Sequence, residues 1–217
     1  RWYSGAGLYR DVFLWTGGDV RVEPWDVFVK TVQADTNQAV VEIRYLIASD
    51  RTGQAQVRTE IEGTAPVTDT VAVRAGEKTP LTVTLTVENP ALWCPENPHL
   101  YRLGTADGAV TDTAETAFGI RTVSADAVHG FRLNGKTMKL RGGCIHHDHG
   151  VLGACEYQDA EERRIRILKE SGFNAVRMAH NPASQTTLEI CDRLGMYVMN
   201  ETFDGWYIPK TYHDYSR

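Results

Sequence analysis

The sequence predicts a multidomain β plus α/β chain, and three observations predict it. Up to about residue 122, β-branched and apolar residues alternate with polar ones at period two, with turn residues between the runs. Beyond that point, apolar runs of strand length alternate with stretches of helical period, the pattern of a parallel sheet with crossover helices. Each of three such runs then ends in polar groups. His146-His147-Asp148-His149 follows residues 137–145, His180-Asn181-Pro182 follows residues 174–179, and Asn200-Glu201 follows residues 196–199. Strands that deliver polar groups at their C-terminal ends describe one rim of a (β/α) barrel, where active sites of that fold lie.

Taken in order, residues 1–22 contain Trp2, Tyr3, Leu8, Tyr9, Val12, Phe13, Leu14 and Trp15, too apolar for a disordered leader. They read as the closing strand of a preceding element. Residues 23–122 hold the alternating runs: Val27, Val29 and Val32; Val40, Glu42, Ile43, Tyr45 and Ile47; Val57, Thr59 and Ile61; Val67, Thr70, Val71 and Val73; Leu81, Val83, Leu85 and Val87. Asp35-Thr36-Asn37, Asp50-Arg51-Thr52-Gly53, Ala75-Gly76-Glu77 and Glu88-Asn89-Pro90 are the turns between them, and residues 100–103 and 111–120 supply the last strands. Short strands at this spacing, with no helical pattern among them, predict an immunoglobulin-like β-sandwich. In residues 123–217, Asn134-Gly135 marks a hairpin turn. A helix is expected over 159–171, with Ile165 and Leu168 on one face and Gly172 stopping it. Ser184 caps a second helix that runs through Leu194, burying Leu188, Cys191 and Leu194, and Gly195 ends it. Strand, helix, strand, helix, strand makes the first three βα units of a TIM barrel.

Composition excludes some classes of partner. The apolar fraction of 42% and the charged fraction of 24% belong to a globular protein. A net charge of −5 with no basic block argues against nucleic acid or an anionic membrane surface. No apolar run reaches the roughly 18 residues of a membrane span. Cys94, Cys144, Cys155 and Cys191 show no CxxC spacing and read as small buried hydrophobes, which leans toward a reducing compartment and leaves the compartment itself open.

Several motifs carry a resemblance. WYSGAGLYRDV at the start, LWCPENPHLY from Leu92, FGIRT from Phe118, and then LNGKTMKLRGGCIHHDHG, FNAVRMAHNP and CDRLGMYVMNE resemble, in order, the family 2 glycoside hydrolases. That group contains β-galactosidases, β-glucuronidases and β-mannosidases. The resemblance implies the last strand of a sugar-binding jelly roll, an immunoglobulin-like middle domain, and the first three strands of the catalytic barrel. HHDHG followed by Val151-Leu152-Gly153-Ala154 is closer to the β-galactosidases than to the β-glucuronidases.

Retaining glycosidases need two carboxyl groups about 5 Å apart, one to protonate the leaving oxygen and one to attack the anomeric carbon. The resemblance places both glutamates at the ends of the fourth and seventh strands, beyond Arg217. Asn200-Glu201 has the look of the family's acid/base pair but follows the third-strand motif, so Glu201 reads as a structural carboxylate at the rim. The resemblance makes His146 and His180 sugar-binding residues. A neutral imidazole is expected to donate to a hydroxyl there, and a satisfied core histidine is the alternative for each. Arg177 is expected to hold the nucleophile ionised, or else to be a structural ion pair. Asp148, Asp204 and Trp206 are further candidates for sugar contact, the indole suiting the apolar face of a pyranose. His147, Asp148 and His149 make poor metal ligands, because neighbours in an extended segment point to opposite faces. Some family members bind magnesium or sodium, but the ligands for magnesium are not matched at Asp204-Gly205-Trp206, and no cofactor is required from this sequence.

The expectation is therefore a segment of a retaining β-galactosidase acting on a carbohydrate, inactive as this chain alone, with a β-glucuronidase or β-mannosidase as the near alternative. A non-catalytic carbohydrate-binding sandwich is the alternative of another class. Three strands cannot close a barrel, so exposed inward faces at Val176 and Val198 and self-association of the chain are expected as well.

Overall fold

The computed structural model describes residues 8, 10–107, 113–202, 208, 209 and 212. Two compact units emerge: Leu14–Met138, and Lys139–Arg217 together with Arg1–Phe13. The sequence pattern draws its divisions at 22/23 and 122/123, whereas these units divide at 13/14 and 138/139.

The first unit is an all-antiparallel sandwich. Strands β1 (Val20–Ala34), β2 (Gln38–Ser49) and β5 (Glu77–Glu88) form one sheet in the order β1-β2-β5. Strands β3 (Gly53–Ile61), β4 (Val67–Val73), β6 (Tyr101–Asp107) and β7 (Thr113–Phe118) form the other in the order β4-β3-β6-β7. Period two decides the core: Ala39, Val41, Ile43, Tyr45 and Ile47 of β2 all point inward and are buried. They meet Ala55, Val57 and Ile61 of β3, Val83, Leu85 and Val87 of β5, and Leu103 of β6. A buried hydroxyl needs a partner, and Tyr45 has two. It donates to Thr59 Oγ1 at 3.2 Å and lies 3.0 Å from Thr105 Oγ1.

Trp93 anchors the connection from β5 to β6. The indole is fully buried, its N–H of the main chain donates to the Ile120 carbonyl at 2.8 Å, and the Arg121 guanidinium lies 4.6 Å above the ring. Gly119 permits this: a Cβ there would stand 2.7 Å from the indole. Asn134 Nδ2 donates to the Trp93 carbonyl at 3.1 Å from the turn of a small three-stranded sheet, β8 (Val123–Asp126), β9 (Gly130–Leu133) and β10 (Lys136–Thr137). The expected Asn-Gly turn is there, with φ of 49° at Asn134 and 75° at Gly135. This hairpin claims residues 136 and 137, so the strand expected over 137–145 shortens to β11 (Gly142–Ile145). Leu8 and residues 10–18, where a closing strand was expected, hold no strand.

The second unit is a parallel sheet with helices on one face. Its strands β11, β12 (Ala175–Met178) and β13 (Tyr197–Asn200) lie in that order and in register, Gly142 opposite Ala175 and Ala175 opposite Tyr197. Gly142 is required: a Cβ would stand 1.9 Å from the Ala175 carbonyl oxygen. Helix α1 (Gln158–Glu170) is followed by Gly172 at φ 87°, and α2 (Gln185–Leu194) starts where Ser184 accepts from the Thr187 N–H at 3.2 Å. Gly195 closes α2 in the left-handed conformation, as expected of a helix end. Ile165 of α1, Ile190 and Cys191 of α2, Val176 and Met178 of β12 and Met196 form the core between sheet and helices. No helix among the described residues is long and apolar enough to cross a membrane.

One expectation fails here. Val176 is buried and Val198 partly buried against the helices, so neither faces the barrel interior. The inward face is formed by the intervening positions Cys144, Arg177 and Met199, which stand opposite one another in the register. Cys144 and Met199 are exposed there, so the reading of the cysteines as buried hydrophobes holds for Cys191 and not for Cys144.

Candidate active site

The inward face and the strand ends bring together three of the predicted residues. Arg177 projects from the middle of β12. Its Nε and Nη2 reach Glu201 Oε1 at 2.6 and 2.5 Å, and its Nη1 donates to Cys144 Sγ at 3.2 Å. These two partners, the thiol foremost, raise the guanidinium pKa further above its already high value. Glu201, just beyond the end of β13, also turns its Oε2 toward His180 Nδ1 at 3.4 Å. A carboxylate between a guanidinium and an imidazole is committed to orientation. Glu201 thus supplies a partner for Arg177 within the chain.

His146 follows β11, and its ring lies 5.7 Å from that of His180, centroid to centroid. Its Nδ1 stands 2.5 Å from the Ala179 carbonyl oxygen, the residue joined to His180 by a cis peptide bond. A carbonyl can only accept, so the proton sits on Nδ1 and a neutral ring presents an acceptor at Nε2.

The cluster after β11 separates by role. Asp148 stays at the rim, its side chain one-third exposed and 3.7 Å from Arg164 Nη1. His149 turns away and is almost buried, its Nε2 2.7 Å from Glu161 Oε1. Among the described residues no three His, Cys, Asp or Glu side chains converge to hold a metal. Asp204 and Trp206 lie outside the described residues.

Sequence reasoning missed several groups that shape this rim. Glu161 and Arg164 of α1 grip the loop after β11. Asn174 Nδ2 donates to the Lys139 carbonyl while its Oδ1 accepts from the Arg141 N–H, fixing the entry to β11. Asn200 Oδ1 accepts from the Ala183 N–H at 2.9 Å, holding the loop after β12. Arg10 pairs with the nearly buried Glu156 at 3.1 Å and donates to the Pro182 carbonyl at 2.7 Å, bridging two rim loops. Asn174 and Asn200 stand visibly at strand ends, but their partners, 17 to 35 residues away, leave no local signal.

A sandwich leads into a parallel sheet whose strand ends gather histidine, arginine and carboxylate, the arrangement of a (β/α) barrel rim. The models of the glycosyl hydrolases family 2 and of that family's TIM barrel domain match residues 20–121 and 127–207, and the chain belongs to this family. It is 40% identical over its whole length to the β-galactosidase BoGH2A of Bacteroides ovatus, of which it covers 27%. A solved structure of a glycosyl hydrolase family 2 member from Bacteroides cellulosilyticus superposes with a TM-score of 0.92 at 41% identity, over 100% of this chain and 29% of that one. The Bacteroides uniformis β-glucuronidase 2 covalently bound to cyclophellitol-6-carboxylate aziridine superposes with a TM-score of 0.79 at 28% identity, over 90% of this chain and 26% of that one. The chain thus spans about a quarter of the length of these relatives.

Proposed function

We propose that this chain contributes the sugar-positioning side of a retaining β-galactosidase pocket. The carrying observation is the pair His146 and His180, their rings 5.7 Å apart at the ends of adjacent strands, with His146 Nδ1 on the Ala179 carbonyl and His180 Nδ1 3.4 Å from Glu201. In this reading His146 meets the substrate through the Nε2 edge of its ring. A galactosyl hydroxyl donates to His146, and its oxygen gains electron density that favours the oxocarbenium-like transition state. Arg177 and Glu201 keep His180 in place and hold the floor of the pocket near neutrality. Asp148, Asp204 and Trp206 complete the contacts to the sugar, the indole against its apolar face.

A neutral sugar suits this rim better than a uronic acid. The guanidinium that would attract a carboxylate, Arg177, is already bound to Glu201, and Asp148 adds negative charge. The two catalytic glutamates are assigned to polypeptide beyond residue 217, so these 217 residues by themselves turn over nothing. Two assays test the reading. The purified 217-residue chain is offered a chromogenic β-galactoside, and release of chromophore above a buffer blank overturns the assignment of the carboxylates. The full translated product of the gene is offered β-galactoside, β-glucuronide and β-mannoside in parallel. Preference for either of the last two overturns the substrate.

A further inference from the structure

We propose that Glu161 and Arg164 of α1 are positioning residues that set where His146 stands, with His149 completing their lock instead of touching the sugar. This rests on the reading of His146 as a sugar-binding group. The starting point is a buried charge. Glu161 has no exposure at all, and a carboxylate in that position persists only where donors are aimed at it. Two are. Arg164, one helical turn on, brings Nη2 to 2.5 Å from Glu161 Oε1, and His149 brings Nε2 to 2.7 Å from the same oxygen. Since a carboxylate beside a guanidinium accepts, His149 carries its proton on Nε2.

The other arm of Arg164 points at the loop. Its Nη1 donates to the carbonyls of His146 at 2.7 Å and Asp148 at 3.2 Å, and the Asp148 N–H donates to the His146 carbonyl at 2.8 Å. One guanidinium thus ties the main chain on both sides of His147 to α1, while the ring of His146 is tied to β12 through the Ala179 carbonyl. His146 is held at both ends by different elements. Stability alone does not call for this arrangement, because an apolar pair of the same volume packs at least as well as a buried ion pair. The pair is also imperfect as an ion pair: Glu161 Oε2 and Arg164 Nε are buried without a hydrogen-bond partner among the described residues. What the charges add is aim, two parallel donations from a rigid helix to the loop that presents His146.

A double-mutant cycle in the full translated product of the gene, assayed on a chromogenic β-galactoside, tests this. Arg164→Met is expected to lower kcat/KM about 100-fold, mainly through kcat, as a displacement of about 1 Å does. In a His146→Ala background the same change is expected to cost less than about threefold, because the group it acts through is gone. Equal losses in both backgrounds overturn the proposal. Glu161→Gln, which keeps volume and shape, repeats the comparison if Arg164→Met does not fold. Nitrogen NMR of the histidines judges the lock without any assay: His149 protonated at Nε2 is expected, and a proton on Nδ1 overturns it. Should His146→Ala leave galactoside turnover unchanged, the sugar-binding reading of His146 fails and takes the catalytic consequence with it, while the tautomer still decides the lock.

Discussion

The sandwich and the βα unit bury their polar groups in opposite ways. In the sandwich the buried polar residues Ser49, Thr59 and Thr105 are neutral, and the two threonines share the Tyr45 hydroxyl inside a wide apolar core. In the βα unit a carboxylate and a guanidinium are packed under the rim, and the apolar core between sheet and helices is much smaller. The sandwich is built to stay folded. The βα unit carries charge beneath its surface because charged hydrogen bonds can fix a loop in one place.

The comparison is sharpened first by the state of association. Among the described residues the sheet β11-β12-β13 pairs with no further strand and exposes Cys144 and Met199 on its inward face, so the 217-residue chain is expected to self-associate through this unit. A compact monomer on size-exclusion chromatography would count against it. Next come substitutions that unfold one unit and spare the other. Trp93→Ala is expected to destabilise the sandwich by about 3–5 kcal/mol, since it empties a fully buried indole site. Glu161→Leu is expected to cost the βα unit somewhat less, about 3 kcal/mol, by taking from the partly buried Arg164 its closest carboxylate and leaving only Asp148 and two main-chain carbonyls. Denaturant melts followed by hydrogen exchange separate the two. Loss of protection in both units from either change breaks the comparison.

Alkali acts on both units, since burial raises the Tyr45 hydroxyl in the sandwich and the Cys191 thiol in the βα unit, and the thiol can be tested by itself. Burial pushes the Cys191 thiol up to about 12, above its unfolded value. A group whose folded pKa is raised contributes stability that is whole below the unfolded value and is lost as pH rises toward the folded one. The βα unit is therefore expected to weaken as pH climbs from the ordinary thiol range toward about 12, and Cys191→Ala to flatten that limb. A thermal-melt series against pH with an unchanged slope in Cys191→Ala refutes this. The smallest effect is Tyr45→Phe, which leaves two threonine hydroxyls to pair with each other or go unsatisfied, a cost of about 1 kcal/mol. Its measure is the denaturation midpoint of the sandwich.

Much of the fold could be read from residue order. The alternation along β2 states which side chains face the core, because a half-exposed antiparallel strand must alternate. Ser184, Gly172 and Gly195 state where the helices begin and end, because backbone groups at helix termini need a capping oxygen or a left-handed residue. The four-residue strand Ala175–Met178 states much less. A strand in a parallel sheet has helices on one face and barrel lining on the other, so both faces accept apolar residues and the pattern carries no sign of direction. Hence Val176 and Val198 were assigned to the interior that Arg177 and Met199 in fact line.

By itself the sequence determined the order of the domains, the caps of the helices, the family, and the identity of the polar groups at three strand ends. These are local properties: propensity, period and spacing act over a few residues. Only the tertiary structure decided which of those groups work together. It set Glu201 between Arg177 and His180, put the His146 proton on Nδ1 opposite the Ala179 carbonyl, and drew His149 away from the pocket to Glu161. Partner choice is a matter of distance in space, and the 12 to 33 residues that separate these pairs along the chain hold no trace of it.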